Sequence, residues 1–144
     1  MIAEFRVSNF FSIRSEQSIS FVATSDKFMT EEYCSRVTDE VSLLKIGVIY
    51  GANASGKSNV LKALSYYRRL MLRVPEDRNE PMKLVPFLLD EQSRNNHCRM
   101  GMDFYLDGVR YVLNIEFDDV RIYDEMLMVY TTNRATTLYK RIYN

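Results

Sequence analysis

The sequence predicts an α/β fold in which a mixed sheet carries one amphipathic helix and is followed by an antiparallel β-subdomain. Three stretches of the 144-residue chain predict this fold. Residues 43–50 are almost continuously apolar, residues 57–74 repeat apolar side chains at helical spacing, and residues 98–142 contain successive strand-like runs. We therefore expect a first part at 2–74, a connector at 75–97 and a β-meander at 98–142.

The first part is expected to begin with two strands, at 2–7 and 17–23, separated by a polar turn. In the second strand Ile19, Phe21 and Ala23 share one face, with serines opposite. Residues 24–40 show no convincing period, which predicts a loop with at most one short helix. The run Leu43–Tyr50 is rich in β-branched residues, as is typical of a strand buried on both faces of a parallel sheet.

The helix predicted at 57–74 has one apolar face and one basic face. The apolar positions are Val60, Leu61, Leu64, Tyr67, Met71 and Val74. Pro75 cannot continue a helix, and all three prolines fall within the connector.

The meander is predicted from a hairpin signal. Asp107-Gly108 favours a type I′ turn between strands at 98–106 and 109–117, because both turn positions need positive φ. Further strands are expected at 120–130 and 137–142.

Composition excludes several classes of protein. The chain is 47% hydrophobic and 26% charged, which excludes a disordered tail. Its 19 basic and 19 acidic residues balance, so the uniform positive field of a duplex-binding module is absent, although a local basic patch is compatible with this balance. Two cysteines are too few for a disulfide scaffold, and there is neither a signal peptide nor a long apolar run. We expect a cytoplasmic protein without membrane contact.

One motif carries recognisable chemistry. Gly51-Ala52-Asn53-Ala54-Ser55-Gly56-Lys57-Ser58 fits GxxxxGK[ST], placed between a predicted strand and a predicted helix. Glycines allow the backbone N–H groups to surround an anion, and the helix N-terminus adds its dipole. Lys57 is predicted to reach the β- and γ-phosphates of ATP and to be the catalytic residue, while the Ser58 hydroxyl is predicted to ligate Mg²⁺. The alternative is a glycine-containing turn with an incidental Lys-Ser pair.

The motif and the start of the chain together resemble a known family. Residues 50–59 read YGANASGKSN, so that Asn59 extends the motif, and residues 5–10 read FRVSNF. This combination is similar to the ABC-type ATPase heads of the SMC, RecF and OLD-like proteins, and most of all to bacterial OLD-like AAA-family ATPases, many of them suspected phage-defence proteins. The resemblance covers the whole chain and implies ATP and Mg²⁺ as cofactors, with nucleotide bound by residues 51–59.

Two positions depart from the family pattern. Phe11 stands where many relatives carry arginine, so a nucleotide contact from that arginine cannot be transferred, and Arg14 is the candidate substitute beside the alternative of a solvated turn residue. Ala54 replaces a glycine, which is tolerable if Ala54 keeps negative φ.

Other parts of such a head are not recognisable in the chain. By resemblance, a complete head also needs a signature helix and a Walker B strand that ends in Asp-Glu. The two segments that imitate Walker B are 84–91, interrupted by Pro86, and 121–125, inside the meander; both are judged unsuitable as buried parallel strands. The chain therefore looks like the N-terminal part of a longer ATPase, and residues 1–144 alone are expected to hydrolyse ATP very slowly.

The remaining candidate residues are weaker. His97 is the only histidine and is expected in a surface loop, and the carboxylates at 118, 119, 124 and 125 are expected to stabilise turns rather than bind metal. The tyrosines of the meander are expected to pack across strands rather than to stack on bases.

The predicted function is Mg-ATP binding, which in the full-length protein would support association of two heads in a nucleic-acid process or in phage defence. One rival is a small P-loop kinase or GTPase, although neither a lid arginine cluster nor Asn-Lys-x-Asp is evident. The other rival is a non-enzymatic interaction module that keeps the loop for structural reasons.

Overall fold

The computed structural model describes residues 1–26, 29–72, 80–132 and 134–143. Its strands are β1 (Ile2–Ser8), β2 (Gln17–Ser20), β3 (Cys34–Arg36), β4 (Ser42–Leu44), β5 (Cys98–Leu106), β6 (Val109–Phe117), β7 (Ile122–Tyr130) and β8 (Thr136–Ile142). Its helices are α1 (Thr30–Tyr33), α2 (Lys57–Leu72) and α3 (Glu91–Arg94). None of the helices formed by these residues is both long and apolar enough to cross a membrane.

Six strands form one sheet in the order β2-β1-β5-β6-β7-β8, and β3 pairs with β4. The predicted mixed sheet is wrong for the described residues, because every strand pairing among them is antiparallel. The predicted hairpin turn is confirmed: Asp107 and Gly108 have φ of 49° and 78°, which places Leu106 opposite Val109. The sheet unites the start of the chain with the meander, since β1 pairs with β5.

The predicted strand at 43–50 is mostly wrong. Only Ser42–Leu44 is a strand, and the following apolar residues are exposed, with Val48 80% and Tyr50 91% accessible. A strand stays buried on both faces only when neighbours pair with it and helices cover it. Across the described ranges, β4 pairs with β3 and forms a bridge to Val22, but no strand pairs with residues 46–50.

Two predicted loops contain more structure than the sequence indicates. Residues 24–40 include α1, the one short helix that the sequence allows, but also the strand β3, and the connector includes α3, which begins after Asp90. The Asp90 carboxylate accepts a hydrogen bond from Ser93 N at 3.1 Å and so caps α3. The predicted helix end at 73–75 and the rest of the connector up to 79 lie outside the described residues.

The core lies between α2 and one face of the large sheet. Tyr67 meets Phe5 edge-on at 5.6 Å between ring centroids, and Tyr66 stacks on Phe117 at 5.7 Å. The predicted apolar face is correct at Tyr67 but wrong at Leu61, which is 59% exposed. The buried stripe instead passes through Ala63 and Tyr66. Alanine is small and tyrosine is amphipathic, so these two side chains fit closest to the sheet.

His97 lies in the loop before β5, as the sequence predicts, with its side chain 34% exposed, but neighbouring side chains hold it in place. Its ring stacks on Tyr123 at 3.9 Å, and its Nδ1 lies 2.8 Å from Glu116 Oε1. Arg99 Nε also donates to Glu116, at 3.0 Å. Burial alone would raise the pKa of Glu116, but the hydrogen bonds from Arg99 and His97 outweigh burial and lower that pKa below its ordinary 4.5.

This lowered pKa predicts a pH-dependent stability contribution. A group whose pKa falls on folding stabilises the protein above its unfolded pKa, and the stabilisation disappears as the pH drops through the folded value. The free energies of urea unfolding of the unmodified protein and of Glu116→Gln should therefore differ above pH 4.5 and converge as the pH falls from 4.5 through the lower folded pKa. A difference that stays constant across this range would contradict the prediction.

Candidate functional site

The loop Gly51–Gly56 connects the exposed apolar run to α2 through unusual backbone conformations. Gly51 and Gly56 have φ of 154° and 93°, where glycine is favoured. A Cβ on Gly56 would lie 3.3 Å from Ser12 Oγ, so space as well as conformation favours glycine there. Ala54 has φ of 62°, so the negative φ under which alanine would be tolerable at this position is not what the structure shows. This loop thus tolerates a left-handed alanine at a strain cost of roughly 1–2 kcal/mol.

Lys57 lies at the junction of this loop and the helix, and its ammonium group turns back into the curve of the loop. Lys57 Nζ donates to the carbonyl oxygens of Gly51 at 2.7 Å and Ala52 at 2.6 Å, and lies 3.4 Å from Ser55 Oγ. The loop therefore surrounds a positive charge at the solvent-exposed start of a helix.

The N-terminus of α2 adds backbone donors beside that charge. Asn59 N and Val60 N both donate to Gly56 O, at 2.9 and 3.3 Å, which closes the first turn. The N–H groups of Lys57 and Ser58 precede the first intrahelical donors, so they are available to a ligand. The Ser58 residue is exposed at the same end. Residues 51–58 thus carry an ammonium, backbone N–H groups without intrahelical partners and an exposed hydroxyl at the start of α2.

A residue that the sequence analysis missed supports the loop from the side. Ser12 Oγ accepts a hydrogen bond from Asn59 Nδ2 at 2.7 Å and faces Gly56. The turn that holds Ser12 is fixed by the buried side chain of Asn9. Asn9 Nδ2 donates hydrogen bonds to the carbonyl oxygens of Ser93 and Asn96, and Asn9 Oδ1 accepts one from Phe87 N. The sequence could have indicated this contact, because Ser12 follows two residues after the phenylalanine that ends FRVSNF.

Phe11, one of the two departures from the family pattern, and its candidate substitute Arg14 lie in the same turn. Arg14 Nη2 forms its ion pair with Asp90 Oδ2 at 3.4 Å, a contact on the α3 side. Phe11 N donates to Val85 O at 2.9 Å, and its ring lies 4.8 Å from Lys62 Nζ. The structure thus gives Phe11 a partner on α2 and pairs Arg14 with an acid.

Comparison with protein families gives the site a context. Residues 46–144, about two thirds of the chain, match the family described as "AAA domain, putative AbiEii toxin, Type IV TA system". The chain belongs to this AAA-domain family. Membership implies nucleotide binding and ATPase-like activity. No curated protein is similar enough to the chain to count as a relative.

The acidic candidates of this AAA domain are engaged in structural contacts. In the first Walker B imitation, Asp90 caps α3, and a hydrogen bond from Ser93 lowers its pKa. In the second, Asp124 pairs with Lys140 at 3.4 Å and Glu125 with Arg141 at 2.6 Å. Both segments thus differ from a buried parallel strand that ends in free carboxylates.

The prediction that the carboxylates at 118, 119, 124 and 125 stabilise turns is correct at Asp118 but wrong at Asp124 and Glu125, which lie within β7. Asp118 accepts hydrogen bonds from the N–H groups of Val120 and Arg121, and Asp119 accepts one from Leu84 N at 2.8 Å. Within the described parts of the chain, no group of three or more histidine, cysteine or acidic residues is arranged to hold a metal ion.

Proposed function

We propose that residues 51–59 of this AAA domain bind Mg-ATP. The supporting observation is the position of Lys57 Nζ, held within 2.7 Å of two loop carbonyls at the start of a sixteen-residue helix. A phosphate chain placed in the loop would meet this ammonium, the helix N-terminus and the neighbouring N–H groups, all of which favour negative charge. Asn59 would support the loop through Ser12 rather than touch the phosphates.

The residues at the helix start also fit Mg²⁺. Ser58 is exposed beside Lys57, and a neutral hydroxyl next to bound phosphate is a ligand type that Mg²⁺ accepts together with water. Bound there, Mg²⁺ would neutralise charge that develops on the phosphates.

Replacing Ser58 by alanine tests this assignment. We expect Ser58→Ala to weaken ATP binding in Mg²⁺ buffer and to leave metal-free binding, measured in EDTA by calorimetry, nearly unchanged. Ser65→Ala is the matched control, since Ser65 is an exposed serine two turns further along α2. An equal loss with and without Mg²⁺ would show that Ser58 only stabilises the helix start.

We further propose that the domain is the N-terminal part of an ABC-type head of the SMC, RecF and OLD-like kind. The exposed apolar run before Gly51 supports this proposal, because it has the composition of a central strand and would be buried by strands of a complete head. In that head, ATP would drive association of two copies. The toxin–antitoxin system in the family description fits a defence process of the kind that the resemblance implies.

Two other functions stand against this one. A small kinase or GTPase would use the same loop for phosphoryl transfer, and rapid turnover by residues 1–144 that disappears in Lys57→Ala would favour it. A non-enzymatic module would fail to bind nucleotide at all, which titration with ATP would reveal.

The carboxylates of β7 are proposed to have no part in hydrolysis. Their ion pairs with β8 predict that Asp124→Asn and Glu125→Gln leave the hydrolysis rate of the full-length protein within a few-fold of the unmodified rate. Phosphate release under saturating ATP is the measurement, with ATP affinity as the folding control. A loss of about a thousandfold, the scale of removing a transition-state contact, would identify β7 as the Walker B strand instead.

A further inference from the structure

A basic groove runs along α2, away from the loop at its N-terminus. The groove has a volume of about 560 Å³ and lies between the outer side of the helix, the turn at Phe10 and Phe11, and Lys83. Nine of the residues that the structure describes line the groove, and of these nine four are cationic and none is acidic. The cations are Lys62, Arg68, Arg69 and Lys83. In a chain whose formal charges balance, this groove is the local basic patch that the composition leaves open.

The groove is longer than a single phosphate group. Lys62, Ser65, Arg69 and Leu72 follow one another at helical spacing and line it. Ten residues of helix rise by about 15 Å. A stacked nucleic-acid strand advances about 3.4 Å per nucleotide, so the stripe matches roughly four nucleotides. The length therefore favours a strand over a free phosphate or a mononucleotide.

Aromatic rings hold the cations in place. Lys62 Nζ lies 4.8 Å from the centroid of the Phe11 ring, and the Arg69 guanidinium lies 4.8 Å from that of Tyr66. Arg69 Nη2 and the Tyr66 hydroxyl both donate to Met82 O, at 3.2 and 2.9 Å. The guanidinium is therefore oriented before a ligand arrives, with its outer plane available for a base to stack on.

The backbone on the opposite wall is held in unfavourable conformations. Phe11 and Lys83 have φ of 50° and 58°, a region that bulky side chains rarely adopt. The Phe11 hydrogen bond to Val85 O helps to maintain this conformation. Strained residues concentrate at ligand sites, and two of the six described non-glycine residues with positive φ line this groove.

We propose that this groove binds a single strand of nucleic acid. Its phosphates pair with Lys62, Arg68, Arg69 and Lys83, and its bases stack on Arg69 and on the exposed part of Phe11. None of residues 51–59 lines the groove, so the inference goes beyond the proposed function and does not depend on it. An acidic peptide would satisfy the charges but would leave the oriented guanidinium plane unused.

The test is fluorescence anisotropy of a labelled oligothymidylate with the purified chain over a range of salt concentrations. Lys62→Gln/Arg68→Gln removes one lysine and one arginine from the groove. For single strands, the logarithm of the binding constant falls with the logarithm of the salt concentration with a slope of about 0.7 per phosphate contact. The double variant removes two such contacts and should therefore reduce this slope by about 1.4. At ~0.1 M salt this corresponds to a loss of roughly 20-fold in affinity.

The control is Arg134→Gln/Lys140→Gln, which removes the same two charges from residues that do not line the groove. We expect this variant to bind the oligonucleotide like the unmodified chain, and we expect Lys57→Ala to do so as well. Retained ATP binding by the groove variant would separate this site from the nucleotide loop.

Three results would overturn the proposal. The first is unchanged oligonucleotide affinity in Lys62→Gln/Arg68→Gln. The second is an equal loss in the control variant, which would show diffuse attraction to the whole surface. The third is displacement of the oligonucleotide by a duplex of the same length or by polyglutamate at equal charge concentration, which would assign the groove to a duplex or to an acidic protein.

Discussion

Replacing Lys57 by alanine is expected to lower the affinity for ATP by about 10- to 150-fold while leaving the fold intact. A charge-assisted hydrogen bond contributes roughly 1.5–3 kcal/mol, which corresponds to that range of affinity. Among the described residues, the Lys57 ammonium bonds two carbonyls and one hydroxyl of its own loop and no atom of the sheet, so its removal leaves the α2 packing against the sheet unchanged.

Calorimetric titration with Mg-ATP measures this effect, and Lys62→Ala is its matched control. Lys62 lies on the same helix and carries the same charge, but it faces the Phe11 ring rather than the loop. If affinity depended on the general charge of α2, the two variants would lose binding equally. Unchanged affinity in Lys57→Ala would remove the basis for assigning nucleotide to this loop.

The loop and the helix after it could be predicted because both are encoded locally. The motif between Gly51 and Ser58 fixes residue types at positions that need a particular conformation or charge, and α2 begins at Lys57 as the pattern indicates. The conformation of Ala54 could not be predicted, because a positive φ at alanine depends on the surrounding contacts rather than on the residue.

The apolar run before the loop shows where local patterns fail. Residues 46–50 have the composition of a buried strand, but burial requires partners that no single segment specifies. The described residues supply strand partners only for Ser42–Leu44, so residues 46–50 remain exposed.

Contacts between residues far apart in the sequence could not be predicted from the sequence either. The bond between Ser12 and Asn59 spans 47 positions, and those of Asn9 to the segment before β5 span more than 80. A polar turn with no period looks the same in sequence whether it is solvated or buried, and only the folded chain shows that Asn9 is buried.

Truncating Phe117 should have the largest effect on stability. Phe117 is fully buried at the end of β6, and its ring stacks on Tyr66 of α2 at 5.7 Å. Replacing a buried phenylalanine by alanine removes its transfer free energy and leaves a cavity, at a cost of about 3–5 kcal/mol. This is a large part of the roughly 5–15 kcal/mol that stabilises a typical domain.

Urea unfolding followed by circular dichroism measures this loss, with Leu138→Ala as the control. Leu138 is 53% exposed on β8, so its truncation should change the free energy of unfolding by less than about 0.5 kcal/mol. If Phe117→Ala does not fold, Phe117→Leu should show a smaller loss in the same direction. A loss below about 1 kcal/mol for Phe117→Ala would contradict the observed packing of α2 on the sheet. Because α2 carries Lys57 and Ser58 at its first turn, ATP affinity should fall in proportion to the unfolded fraction and not beyond it.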